Sequence, residues 1–116
     1  MINGAHLLLH SADADADRAF LGGVLSFKSV DAGRGWLIFA LPPAEIAVHP
    51  GDGEFRADLY LMCDDVRAQV KALEAKGVTC SEIETERWGL RTTMTLPSGG
   101  RLGLYQPTHP TATGLR

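Results

Sequence analysis

Residues 36–50 read Trp-Leu-Ile-Phe-Ala-Leu-Pro-Pro-Ala-Glu-Ile-Ala-Val-His-Pro, and residues 88–107 read Trp-Gly-Leu-Arg-Thr-Thr-Met-Thr-Leu-Pro-Ser-Gly-Gly-Arg-Leu-Gly-Leu-Tyr-Gln-Pro. In each stretch a Trp opens an apolar, strand-like run that a Leu-Pro turn (Leu41-Pro42, Leu96-Pro97) reverses, and a second run stops at Pro50 or Pro107. Another strand-like run and a helical pattern lie upstream of each. A unit of about fifty residues that occurs twice reads as two similar halves. In 116 residues the halves must share a core, and a binding site is expected where they face each other.

Composition excludes several classes. Hydrophobic residues make up 45% and charged residues 22%, as in a soluble globular chain rather than a disordered or membrane-spanning one. A net charge of −3, with no cluster of Lys and Arg, argues against nucleic acid. The nearest approach to a basic patch is Arg87, Arg91 and Arg101, placed at one mouth of the expected site. The Leu7–Leu9 run is too short for a secretory or transmembrane segment, so a cytoplasmic protein is expected, with neither membrane nor nucleic acid as partner. Cys63 and Cys80 lack the spacing of a zinc or redox motif and read as buried free thiols.

Periodicity and breakers place the elements. The first module spans 4–50: a strand over 4–11, a helix over 14–24 with Ala16, Ala19, Phe20 and Val24 inward, and strands over 26–31, 35–41 and 44–49. Residues 50–56 form a linker. The second module spans 57–107: a strand over 57–63, a helix over 65–76 facing inward through Val66, Val70, Ala72 and Leu73, and strands over 78–84, 89–96 and 101–106. Gly77 suits a helix C′ position. The tail, 108–116, reads as disordered or as a cover for a neighbour's cavity, with His109 in solvent. The fold class expected is α+β: two βαβββ modules forming a curved, open, mixed sheet of half-barrels around a cavity, helices outside.

With helices on one face only, strand alternation sends the remaining side chains to the other. Leu7 and Leu9, Ile46 and Val48, Leu59 and Leu61, and Leu102 and Leu104 suit the helices. His6, His10, Glu45, His49, Asp58, Tyr60, Met62, Arg101, Gly103 and Tyr105 then share the concave face. Aromatic and apolar groups with convergent polar ones suit a small-molecule pocket. Imidazoles and carboxylates on neighbouring strands also suit a divalent metal.

Asp13, Phe20-Leu21 and Val24-Leu25-Ser26-Phe27 are similar to the helix-to-strand signature of the vicinal oxygen chelate superfamily, which contains glyoxalase I, bleomycin-resistance and fosfomycin-resistance proteins and extradiol dioxygenases. In the second half Met62-Cys-Asp-Asp-Val66, Ala72-Leu-Glu-Ala-Lys-Gly-Val78 and Leu96-Pro-Ser-Gly-Gly100 resemble that family's strand end, helix end and turn. The resemblance implies metal-ligand positions at His6, at Glu45 or His49, and at Asp58. The last, normally a Glu, falls on Gly103, which cannot ligate.

Two functions follow from the resemblance. The first is a small-molecule-binding protein of the glyoxalase/bleomycin-resistance type that lacks the complete metal site and needs no cofactor. Trp36, Tyr60, Met62, Trp88, Arg91, Arg101 and Tyr105 would contact its small organic ligand. The alternative is an enzyme of the dioxygenase, lyase or isomerase type, dependent on Fe, Mn, Ni or Zn. It would use His6, Glu45, His49 and Asp58 as ligands, with Glu45 or Asp58 as catalytic base. The resemblance also implies a homodimer.

Overall fold

The computed structural model describes residues 6–48, 50, 52–53 and 55–115. Helix α1 (Ala14–Gly23) starts where Asp13 accepts a hydrogen bond from the Ala16 amide, satisfying one of the free N–H groups of the first turn. Asp15 and Asp17 follow in that turn, where the helix dipole favours carboxylates. Helix α1 buries Asp17 and Phe20, with Leu21 and Val24 packed on the core beside them. Ala19, expected to point inward, is exposed. The buried stripe is therefore 17, 20, 21 and 24, one residue round from the expected one, and it contains a carboxylate.

Strands β1 (Ser29–Asp31) and β2 (Leu37–Phe39) pair antiparallel as a two-stranded sheet. Asp31 closes the turn between them by accepting from the amides of Gly33 and Gly35. A second sheet holds β3 (Tyr60–Met62), β4 (Glu84–Glu86), β5 (Gly89–Thr95) and β6 (Arg101–Pro107) in the order β3-β6-β5-β4. Its strand β3 runs parallel to β6 and the other pairs are antiparallel. Between β3 and β4, helix α2 (Val66–Ala75) is capped by the Asp65 side chain. It ends at Gly77, whose φ of 82° is natural for glycine at C′.

The core lies between the helices and one face of the four-stranded sheet. Val66 and Leu73 of α2, Phe20 of α1, and Met94, Leu96, Leu102 and Leu104 from β5, β6 and their connection form one buried cluster with Val78. Leu59, Leu61 and Cys63 pack against it, as alternation from the core-facing leucines requires. Ala72 of α2 is exposed instead of inward.

The first half differs from its expected form. Residues 6–11 and 44–48 form no strand, because a strand needs a hydrogen-bonded neighbour and none is supplied to either segment by the described residues. Ile46 and Val48 are 94% and 95% exposed. Residues 26–28, 35–36 and 40–41 likewise fall outside the short β1 and β2. In the second half, 79–81 run beside β5 through Ser81 N–H to Thr93 O and Thr95 N–H to Thr79 O, and regular pairing resumes only at Glu84.

Candidate functional site

The register of the four-stranded sheet decides which side chains meet on its helix-free face. Tyr60 stands opposite Gly103 and Met62 opposite Tyr105 across β3 and β6. Arg91 stands opposite Tyr105 across β5 and β6, and Glu84 opposite Arg91 across β4 and β5. The connection between β4 and β5 brings Trp88 over the same face. Tyr60 and Trp88 have ring centroids 5.6 Å apart, Tyr60 and Tyr105 5.8 Å, and Trp88 and Tyr105 5.2 Å, every pair edge-to-face. Such contacts among three rings give a rigid apolar wall with phenol hydroxyls at its edge.

Gly103 forms the floor of this wall. The Tyr60 ring lies directly over it, so that a Cβ at position 103 would run into Cδ1 and Cε1 of that ring. The position where the resemblance places a Glu ligand is thus filled by an aromatic side chain from the neighbouring strand. Only glycine lets the ring approach the backbone this closely.

The tail closes over the edge of the cluster. The Thr108 amide donates to the Trp88 carbonyl and the Thr108 hydroxyl to the Arg87 carbonyl, which carries the β6 backbone past Pro107. His109, read from sequence as solvent-exposed, is half-buried and inclined 26° to the Tyr105 ring. Its Nδ1 lies 2.7 Å from the Pro110 carbonyl, which can only accept, so Nδ1 carries the proton. Nε2 lies within hydrogen-bond distance of the Tyr105 hydroxyl, at 3.0 Å. Glu45 reaches the same place: Oε1 accepts from the Ala112 amide at 2.7 Å and Oε2 lies 3.9 Å from His109 Nε2. Burial, and secondarily the Glu45 charge, push the Tyr105 phenol above its ordinary pKa.

The remaining expected residues disperse. Arg91 lies beside Tyr105 but is held by Glu84 at 2.7 Å and Glu86 at 3.7 Å, so its charge is already matched. His6 and Trp36 line a separate cavity of about 370 Å³ between α1, β2 and the outer side of the large sheet. Met62 borders another of about 300 Å³ beside α2. Arg101 is exposed at the start of β6, and exposed Asp58 faces Arg56 at 3.7 Å. His49 lies outside the described residues.

Among the described residues, no group of three or more His, Cys, Asp and Glu is placed to hold a metal ion. Of the ligand positions the resemblance implies, His6 and Asp58 are thus not gathered with Glu45 among the described residues, Glu45 is engaged by the tail, and Gly103 is covered by Tyr60. Nor do the described residues include a helix long and apolar enough to cross a membrane.

Sequence reasoning places Asp17 in the first turn of the helix, where the dipole favours a carboxylate, and His109 in solvent, and misses the contacts of both. For His109 the available signal was Pro107 and Pro110 on either side, which end the strand and turn the chain back. For Asp17 it was the spacing to Phe20, Leu21 and Val24 at three, four and seven residues.

No family model matches the chain, and no curated protein matches it. Solved structures do. The antibiotic-binding protein TnmS3 from Streptomyces sp. CB03234 matches with a TM-score of 0.69 and 25% identity, over 92% of this chain and 98% of that one. A glyoxalase/bleomycin resistance protein from the same organism matches at 0.59 and 25%, over 83% and 93%. The fosfomycin resistance protein FosX from Listeria monocytogenes shares the fold at 0.66 and 17%, over 93% and 96%. The order of elements, the motifs along the chain and these structural matches together show that the protein has the fold of the vicinal oxygen chelate superfamily.

Proposed function

We propose that the protein binds a small organic molecule against Tyr60, Trp88 and Tyr105 without the complete metal site of its superfamily. The observation that carries this reading is the Tyr60 ring seated on Gly103 and flanked edge-to-face by the other two rings. That arrangement offers π surfaces and a phenol in place of a carboxylate. An antibiotic-binding protein among the structural matches supports the same class of function. Trp36 and His6, with the cavity they line, belong to a second apolar space whose role in this reading is packing between α1 and β2. Arg101 and Met62 take no part in the cluster.

The test is a panel of planar aromatic antibiotics and catechols screened by equilibrium dialysis, with metal analysis of protein purified without chelator. Saturable binding to the metal-free protein, weakened in Tyr60→Ala, is expected. Stoichiometric Fe, Mn, Ni or Zn that disappears in Glu45→Ala or His49→Ala would replace this reading with a metal-dependent enzyme. A panel without a single binder would refute it.

We also propose that two copies pair. A two-stranded sheet is marginal by itself, and Ile46, Val48 and Leu8 expose apolar side chains on extended segments without strand partners among the described residues. A dimer mass at micromolar concentration is expected; a monomer mass would contradict it.

A further inference from the structure

We propose that the C-terminal segment 108–115 is an internal occupant of the concave site, and that an external ligand displaces it by presenting the groups it presents now. The inference rests on the concave face being the ligand site, and it names the ligand's chemical class. That class is a planar aromatic or heteroaromatic ring carrying one hydrogen-bond acceptor for the Tyr105 hydroxyl and one N–H or O–H donor for Glu45.

The tail satisfies both groups in turn. Its imidazole lies beside the Tyr105 ring and hydrogen-bonds the phenol hydroxyl at 3.0 Å through Nε2. Three residues on, a backbone N–H reaches Glu45 Oε1 at 2.7 Å. With the tail in place Tyr105 is only 8% exposed and Glu45 retains 21% of its side-chain exposure, and the tail supplies a hydrogen-bond partner to each. Neither contact is part of a sheet ladder. Pro107 and Pro110 lack the N–H that would extend one, and beyond Thr108 the tail meets the body of the molecule through these two hydrogen bonds, the His109–Tyr105 ring contact and the approach of Glu45 to His109. A ligand with a matching acceptor and donor exchanges one set of hydrogen bonds for another, and its larger ring gains contact with Tyr60 and Trp88. Glu45, which with His49 is one of two candidates for a metal-ligand position in the sequence resemblance, acts here as the latch of the tail.

Amide exchange and ring resonances of the full chain, followed by NMR, test this. The Ala112 amide is expected to be protected in the native protein and to lose that protection in Glu45→Ala and in His109→Ala, while amides of β5 and β6 keep theirs. Free imidazole is then the probe: it should shift the Tyr105 ring resonances saturably in His109→Ala and leave the native protein unchanged. An Ala112 amide exchanging at the free-peptide rate in the native protein would overturn the proposal, as would an equal response, or none, to imidazole in both proteins. Neither measurement uses the ligand panel. A latched tail with no binder in the panel would refute the binding reading alone, and an unlatched tail with a binder would refute this inference alone.

Discussion

The backbone amide and the hydroxyl of Ser98 both hydrogen-bond the carboxylate of Asp17, at 3.1 and 2.7 Å, across 81 positions of chain. Ser11 donates a third bond at 2.6 Å. This buried carboxylate joins the first turn of α1 to the turn between β5 and β6, the one that follows Leu96-Pro97. It is the polar counterpart of the contact Phe20 makes with the common core.

Removing Asp17 should therefore loosen α1 from the large sheet. Asp17→Ala leaves the Ser98 amide without its acceptor, and hydrogen bonds to a charged group are each worth about 1.5–3 kcal/mol. A loss of at least about 2 kcal/mol is expected from urea unfolding, with the slope unchanged. A variant as stable as the native protein would show that α1 is held by its apolar face alone.

The same carboxylate gives stability a pH dependence. Burial works to raise the Asp17 pKa, but the bonds from Ser11 and Ser98 outweigh it and the net shift is downward. The folded state thus binds this proton more weakly than the unfolded chain. The stabilisation is complete above the unfolded carboxyl's range, about pH 4, and fades as pH falls through the lower folded value. Denaturation followed from pH 6 to pH 2 should show a steeper acid loss in the native protein than in Asp17→Asn. Parallel curves would remove Asp17 from the acid response.

Gly103 and Tyr60 should be energetically coupled. Gly103→Ala forces the Tyr60 ring off the backbone, an overpacking expected to cost about 1–3 kcal/mol. The same change in a Tyr60→Ala background should cost distinctly less, since the ring that a Cβ at position 103 meets most closely is then gone. A double-mutant cycle on thermal unfolding measures the difference, and additive effects would contradict the packing described.

Both thiols should react slowly. Burial first, and the Asp64 charge after it, raise the Cys63 pKa against a smaller lowering by its bond to the Asp65 backbone; burial and then Glu74 raise that of Cys80. Less thiolate at neutral pH means slower alkylation than a free cysteine shows in unfolded chain. Iodoacetamide labelling of native and urea-unfolded protein, resolved by mass, checks this. Equal rates in the two states would contradict it.

The second half of the chain was legible because its signals agree with each other. Asp64 or Asp65 as N-cap, the Val66, Val70 and Leu73 stripe and Gly77 point to a helix, which the structure caps with Asp65, and alternation through Leu102, Gly103, Leu104 and Tyr105 assigns faces that the register of β3, β5 and β6 repeats. From that alternation the meeting of Tyr60, Gly103 and Tyr105 could be read in advance. The first half was not legible in the same way. Leu7 to Leu9 and Ile46 to Val48 have strand-like composition, yet pairing depends on a neighbour, and composition does not carry that. Sequence also placed Glu45 beside His6, whereas a long-range contact with Ala112 engages it. Trp36 and Trp88, equivalent in the two quoted stretches, line different spaces for the same reason: among the described residues one half completes its sheet and the other does not.

The central claim is that the Tyr60, Trp88 and Tyr105 cluster is where a ligand sits. Trp36→Phe leaves Trp88 as the sole tryptophan, and its emission during titration with an aromatic binder from the panel reads the cluster directly. The account predicts a saturable change that Tyr60→Ala shifts to higher ligand concentration, and no matching change in a Trp88→Phe protein that retains Trp36. A response confined to Trp36 would move the ligand to the cavity beside α1 and contradict the account.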